Sequence, residues 1–208
     1  MTDYSVTRSM QATTPLGTAI AEERRVARPN GWWGMAIFVA TEATLFGTMI
    51  GTYFYLRFRT PHWPPPGVPD PKVVMPLVLT GVLVLTSGLM QLAFASARRA
   101  RLGAVRLALV VALIVQSGYL AMQLHLYLDD LHKFSPNASA YASIYFTLVG
   151  AHHFHVVVGI LLNAWLLVRL IGGITNYRLV ALQATTFYWH FVNVLAVVVT
   201  LTQISPSL

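Results

Sequence analysis

No cysteine occurs in the chain, which excludes disulfides, iron–sulfur clusters and thiolate metal sites. Charge is almost as scarce. Asp, Glu, Lys and Arg make up 10% of the 208 residues, where a soluble domain carries roughly 25%. So few charges cannot cover a water-facing surface. Between Val73 and Ala97, and again between Leu179 and Leu208, there is no Asp, Glu, Lys or Arg. Apolar runs beyond about 18 residues read as transmembrane helices, so the chain is expected to be an integral membrane protein. The halves show no internal repeat, which argues against a transporter built on inverted repeats. The first 30 residues lack an apolar core segment. They do not read as a cleavable signal peptide, and the first membrane helix is expected to serve as the insertion signal.

What charge there is leans basic, with a formal net charge of +7. The basic residues sit at the ends of apolar runs. That placement fits loops facing an anionic membrane leaflet, and nucleic acid is not an expected partner. Hydropathy and turn signals give an all-α bundle of five spans, at about 31–56, 73–97, 104–128, 141–170 and 178–204, after a tail of residues 1–30. The connection "RTPHWPPPGVPDPK" carries too many prolines for a helix. "RRARLG" reads as a short basic turn, "DDLHKFSPNAS" as a polar loop and "GGITN" as a tight glycine turn. Ten Lys and Arg fall on the side of the tail and of the second and fourth loops, and four on the other. The bias puts the N-terminus in the cytoplasm and, with five spans, the C-terminus outside.

One carboxylate lies deep in a span. Glu42 is eleven residues beyond Gly31, or about 16 Å up a helix rising 1.5 Å per residue. A charge at that depth costs several kcal/mol, so such groups usually face protein or a water-filled cavity. A proton-handling carboxyl and a neutral one hydrogen-bonded to a neighbouring helix both fit. His152 and His155, three apart on the fourth span, share a face, while His153 points elsewhere. With His190 of the fifth span they lie near mid-depth, as Glu42 does, and the four are expected to form a polar cluster. One deep Glu is too few for a di-iron bundle, and there is no His-Glu-x-x-His motif for zinc. A zinc site of two His and one Glu, or a haem between His155 and His190, is conceivable. The commoner use of such histidines is hydrogen bonding between helices, and no metal site is expected. His62, His125 and His132 read as solvated or interfacial.

Aromatics and snorkelling cations mark the interfaces. Arg57, Arg59 and Trp63, with Tyr53 and Tyr55, form an outer belt, and Trp32 and Trp33 an inner one. Ala43, Gly47 and Gly51 repeat every four residues on the first span. That spacing lets another helix approach closely, whether from this chain or from a partner.

Three segments together resemble the haem–copper oxidase subunit III family: "GWWGMAIFVATEATLFGTMIGTYFYLRF", "TLVGAHHFHVVVGI" and "ATTFYWHFVNVLAVV". Their order and spacing match from Gly31 to the end, and five helices fit the short bacterial form. By matching position, the family's membrane Glu is Glu42, its paired histidines are His152 and His155, and its closing Trp-His is Trp189 and His190. The resemblance implies a subunit of a cytochrome c or quinol oxidase that binds no cofactor itself, haem and copper residing in subunits I and II. It implies packing beside subunit I, together with subunit II and smaller subunits, and phospholipids held in a cleft. It also implies support for proton uptake and a bacterial cytoplasmic membrane location. Trp189 is grouped with Trp32, Trp33, Arg57, Arg59 and Trp63 as a lipid or interface residue. Asn193 stands where the family usually has Asp, His153 replaces a usual Gly, and Ala151 a usual aromatic. A subunit-III-like accessory protein of nitric oxide reductase and a stand-alone haem protein are the alternatives.

Overall fold

The computed structural model describes residues 30–207. They form five long helices: α1 (Asn30–Arg59), α2 (Val74–Arg98), α3 (Leu102–Lys133), α4 (Ala140–Arg169) and α5 (Asn176–Ile204). Short 3₁₀ turns follow α4 and α5, and the described residues contain no strand. The shortest helix has 25 residues, about 38 Å at 1.5 Å per residue, against a hydrocarbon core of roughly 30 Å. All five are long and apolar enough to cross a membrane. Helices suit that environment because each satisfies its own backbone hydrogen bonds.

Helices α2, α3, α4 and α5 pack in a closed ring, each against two neighbours, and α1 lies outside it against α4 and α5. The ring encloses Leu83 and Met90 of α2, Leu109 and Tyr119 of α3, Val156 of α4, and Trp189 of α5. A second cluster joins α1 to the ring through Phe46, Leu148, Val149, Leu195 and Val199. Phe46 and Tyr53 are the buried residues of α1. Within the most apolar stretch of each helix, 6% of residues are buried in α1, against 28–56% in the other four. The first helix is therefore an outrigger.

Trp189, expected at a lipid interface, is fully buried. It lies in the ring core because Gly159 of α4 makes room: a Cβ there would stand 2.7 Å from Trp189 Cζ2. The glycine lets the indole come close to the α4 backbone, so this Trp is a packing wedge.

Polar side chains close both ends of the bundle. At one end, Arg106 of α3 donates to the carbonyls of Leu170 and Ile171, at 2.9 and 3.0 Å, capping α4. Arg178 donates to the Gly173 carbonyl at 2.7 Å. Gly173 has φ of 89°, a conformation that favours glycine, and Thr175 then caps α5 by accepting from the Arg178 amide. That is the physical content of the "GGITN" turn. At the other end, Lys72 and Lys133 donate to Asp129 at 2.7 and 2.6 Å. Helix α3 runs on to Lys133, past the point where the sequence reads as a polar loop. The Asp129–Lys133 pair, one turn apart, supports the extra turn.

Replacing Gly159 by Val is expected to destabilise the folded chain by about 1–3 kcal/mol, because the added atoms meet a buried ring in a packed core. Gly88→Ala is the control, since a Cβ there meets nothing within 4 Å. Thermal unfolding in detergent reads the difference.

Candidate functional site

The four mid-depth residues do not form one cluster. Hydrogen bonding distributes them over three helix interfaces. Between α1 and α4, His155 Nε2 lies 3.0 Å from Glu42 Oε2, and its Nδ1 lies 2.7 Å from the Ala151 carbonyl oxygen one turn back. Phe46 packs edge-on to the His155 ring, with centroids 5.1 Å apart. The Tyr188 hydroxyl of α5 donates to the His155 carbonyl at 2.8 Å. Helix α1 and the His155 helix itself thus hold the imidazole, while α5 holds the His155 backbone. The Glu42 side chain is 20% exposed and that of His155 8%, so the pair sits at the outer seam of the bundle.

Between α3 and α4, His152 Nε2 lies 3.2 Å from the Tyr119 hydroxyl. The Gln123 amide donates to the same Tyr oxygen at 3.4 Å. His153, expected to point away, is also buried, and its ring stands edge-on to Tyr127 at 5.4 Å. Deeper along this interface Asn163 donates to Gln116 Oε1 at 3.0 Å. The residues on α3 (Gln116, Tyr119, Gln123) are spaced three and four apart, one stripe of a helix. A Gln or Tyr in an apolar run carries no charge signal, so this stripe is not among the sequence-based expectations. Their i, i+3, i+7 spacing was the available clue.

Between α2 and α5, Asn193 donates to Ser87 Oγ at 2.6 Å, and His190 Nδ1 lies 3.1 Å from the same oxygen. Ser87 can therefore accept from the amide while its hydroxyl proton points to the imidazole. An Asp at 193 would bring no donor, so Asn completes this chain of donors and acceptors without charge. Thr80 and Thr200 meet further along the interface at 2.7 Å.

The expected belt residues divide. Trp33 and Arg59 are exposed, and the Arg59 guanidinium lies 5.4 Å over the Tyr55 ring. Trp32 packs against Phe187 at 5.7 Å. Trp63 meets Tyr53 and Tyr141 edge-on at 5.3 and 4.9 Å. Arg57 donates to the Ser205 carbonyl at 3.0 Å, tying the ends of α1 and α5 together. These last three are structural ties as much as membrane anchors. His62, His125 and His132 are exposed. Among the described residues, no set of three or more His, Cys, Asp or Glu converges as metal ligands do.

Five helices long and apolar enough to cross a membrane, tied to one another by hydrogen-bonded polar side chains, define a multi-pass helical membrane protein. The family model for cytochrome c oxidase subunit III matches residues 18–204, and the chain belongs to that family. Relatives include quinol oxidase subunit 3 of Bacillus subtilis, 29% identical over 79% of this chain and 79% of its own length. Cytochrome c oxidase subunit 3 of Alkalihalophilus pseudofirmus is 30% identical over 79% of this chain and 81% of its own. A probable cytochrome c oxidase subunit 3 of Nocardia farcinica is 28% identical over 86% and 90%.

Ser87→Ala removes the shared partner of His190 and Asn193. It is expected to lower stability by about 1 kcal/mol, the scale of hydrogen bonds between membrane helices, as read by denaturation of the purified chain in detergent.

Proposed function

We propose that this chain is the non-redox third subunit of a haem–copper terminal oxidase. It stabilises the haem-bearing subunit I beside it, with subunit II and smaller subunits completing the complex. The family match over residues 18–204 carries this reading. The shape of the bundle supports it, because α1 leaves most of its surface uncovered within the chain. The exposed surface of α1 carries large side chains toward its ends, Trp33, Ile37, Tyr55 and Phe58, and small ones along its middle. Ala40, Ala43, Gly47 and Gly51 are exposed, and Thr44, Thr48 and Thr52 turn their hydroxyls back to carbonyls of their own helix at 2.9–3.0 Å. A surface of small side chains with no unpaired hydroxyl suits close packing against another membrane helix. We assign this face to the neighbouring subunit.

Relatives named for quinol and for cytochrome c match to a similar degree. That is expected of a subunit remote from the electron donor. The basic end of the bundle is read as cytoplasmic, in a bacterial cytoplasmic membrane. Phospholipid head groups are read as held there, at a groove of about 450 Å³ whose lining includes Arg98, Asn176 and Gln183 beside Phe94 and Leu179. Glu42 is read as supporting proton delivery to the catalytic subunit.

An affinity-tagged chain is expected to copurify with haem-bearing subunits. Stoichiometric haem absorbance from the chain alone overturns the proposal. Gly47→Leu and Gly51→Leu are expected to leave the chain folded, because a Cβ at either site meets nothing within 4 Å. They are expected to reduce copurification severalfold, and unchanged recovery removes α1 from the interface. Glu42→Gln is expected to assemble normally and to lose activity faster under sustained turnover. Superimposable time courses reduce Glu42 to a packing residue.

A further inference from the structure

We infer that Glu42 and His155 hold one mobile proton between them and are electrically neutral, as a pair, in both of its positions. The Ala151 carbonyl oxygen, 2.7 Å from Nδ1, can only accept, so Nδ1 carries a hydrogen. A neutral imidazole has a single N–H, which leaves Nε2 a bare acceptor. Nε2 faces Glu42 Oε2 at 3.0 Å. Two arrangements satisfy this contact. Either the protonated carboxyl donates O–H to Nε2, or an imidazolium donates N–H to the carboxylate. They differ by the move of one proton from Oε2 to Nε2, in which one O–H bond breaks and one N–H bond forms. The third arrangement, a carboxylate facing a neutral ring, needs the ring proton on Nε2. It sets the Nδ1 lone pair against the carbonyl oxygen.

The surroundings favour a neutral pair. From α5, Tyr188 reaches the His155 carbonyl. Helix α4 itself adds His152 and His153, and α1 has no other titratable side chain between Trp32 and Tyr53. None of these is an acid of carboxylate strength or a permanent cation, so nothing here offsets an unpaired carboxylate. A net charge at this depth costs several kcal/mol. The Ala151 carbonyl thus decides, through the tautomer of His155, that the bundle's one deep carboxylate never stands alone. The pair's proton can shift along one hydrogen bond without any uptake from water, so a charge on a neighbouring subunit would displace it.

The test uses the purified native complex with ¹⁵N-labelled histidine. Solid-state NMR distinguishes protonated from bare ring nitrogens, and the His155 signals are those lost in His155→Gln. Infrared difference spectra of Glu42→Gln report the Glu42 carboxyl. Expected is a protonated Nδ1 across the pH range in which the complex is stable. Nε2 should be bare whenever the protonated-carboxyl band of Glu42 is present, and protonated whenever that band is lost. In Glu42→Gln, whose amide can donate to the bare nitrogen, Nδ1 should stay protonated and the ring should never become imidazolium. A bare Nδ1, or an ionised Glu42 facing a neutral ring, overturns the inference. Neither readout depends on turnover. If Glu42→Gln leaves activity untouched, the proton-delivery role falls while this proton count stands.

Discussion

Hydrocarbon neither hydrogen-bonds nor drives apolar surfaces together, since lipid tails are as apolar as Leu. For a bundle immersed in it, the choice of partner helix falls to close packing and to polar groups that find each other. Several of the helix seams have such a device. Glu42 with His155 joins α1 to α4, Tyr119 with His152 joins α3 to α4, and Ser87 with His190 and Asn193 joins α2 to α5. Between α4 and α5 the device is steric, the Trp189 ring against Gly159. Each polar pair contributes modestly, about 0.6 kcal/mol on average in membrane proteins. Its larger effect is on specificity, because a misregistered helix would leave those groups in lipid.

The same constraint explains why these polar groups can be neutral. Asn193 donates to Ser87 Oγ and His190 lies against the same oxygen, so this junction is built without a carboxylate. Glu42 is the exception in type, and it meets a histidine partner across the α1–α4 seam. Placed at the outer seam, it is the polar group of the three interfaces best situated to sense a neighbour. Helix α1, which carries it, is also the least covered. A helix held by a small hydrophobic cluster, the Glu42–His155 contact and the Arg57 bond to the Ser205 carbonyl, with small side chains along its exposed middle, suits a joint between this chain and a larger assembly.

Much of this was legible in the chain itself. Scarcity of charge and the length of the uncharged runs dictate five membrane-crossing helices, because ionised groups do not partition into hydrocarbon and unpaired backbone does not either. The Tyr-Trp-His-Phe-Val and Gly-Ala-His-His-Phe-His segments carry the family. Glu42 stands out as the one deep carboxylate. What only the tertiary structure decided is which polar group meets which. Helical spacing places His152 and His155 on one face, yet the two turn to different helices, because a ring's partner depends on what stands opposite it. Trp189 looks like an interface residue by type and is buried by virtue of a glycine thirty positions earlier in sequence. The stripe of Gln116, Tyr119 and Gln123 has no charge to announce it. A helix's length and polarity are summed along the chain and are local properties. Pairing is a property of juxtaposition, and it exists once the helices have chosen their neighbours.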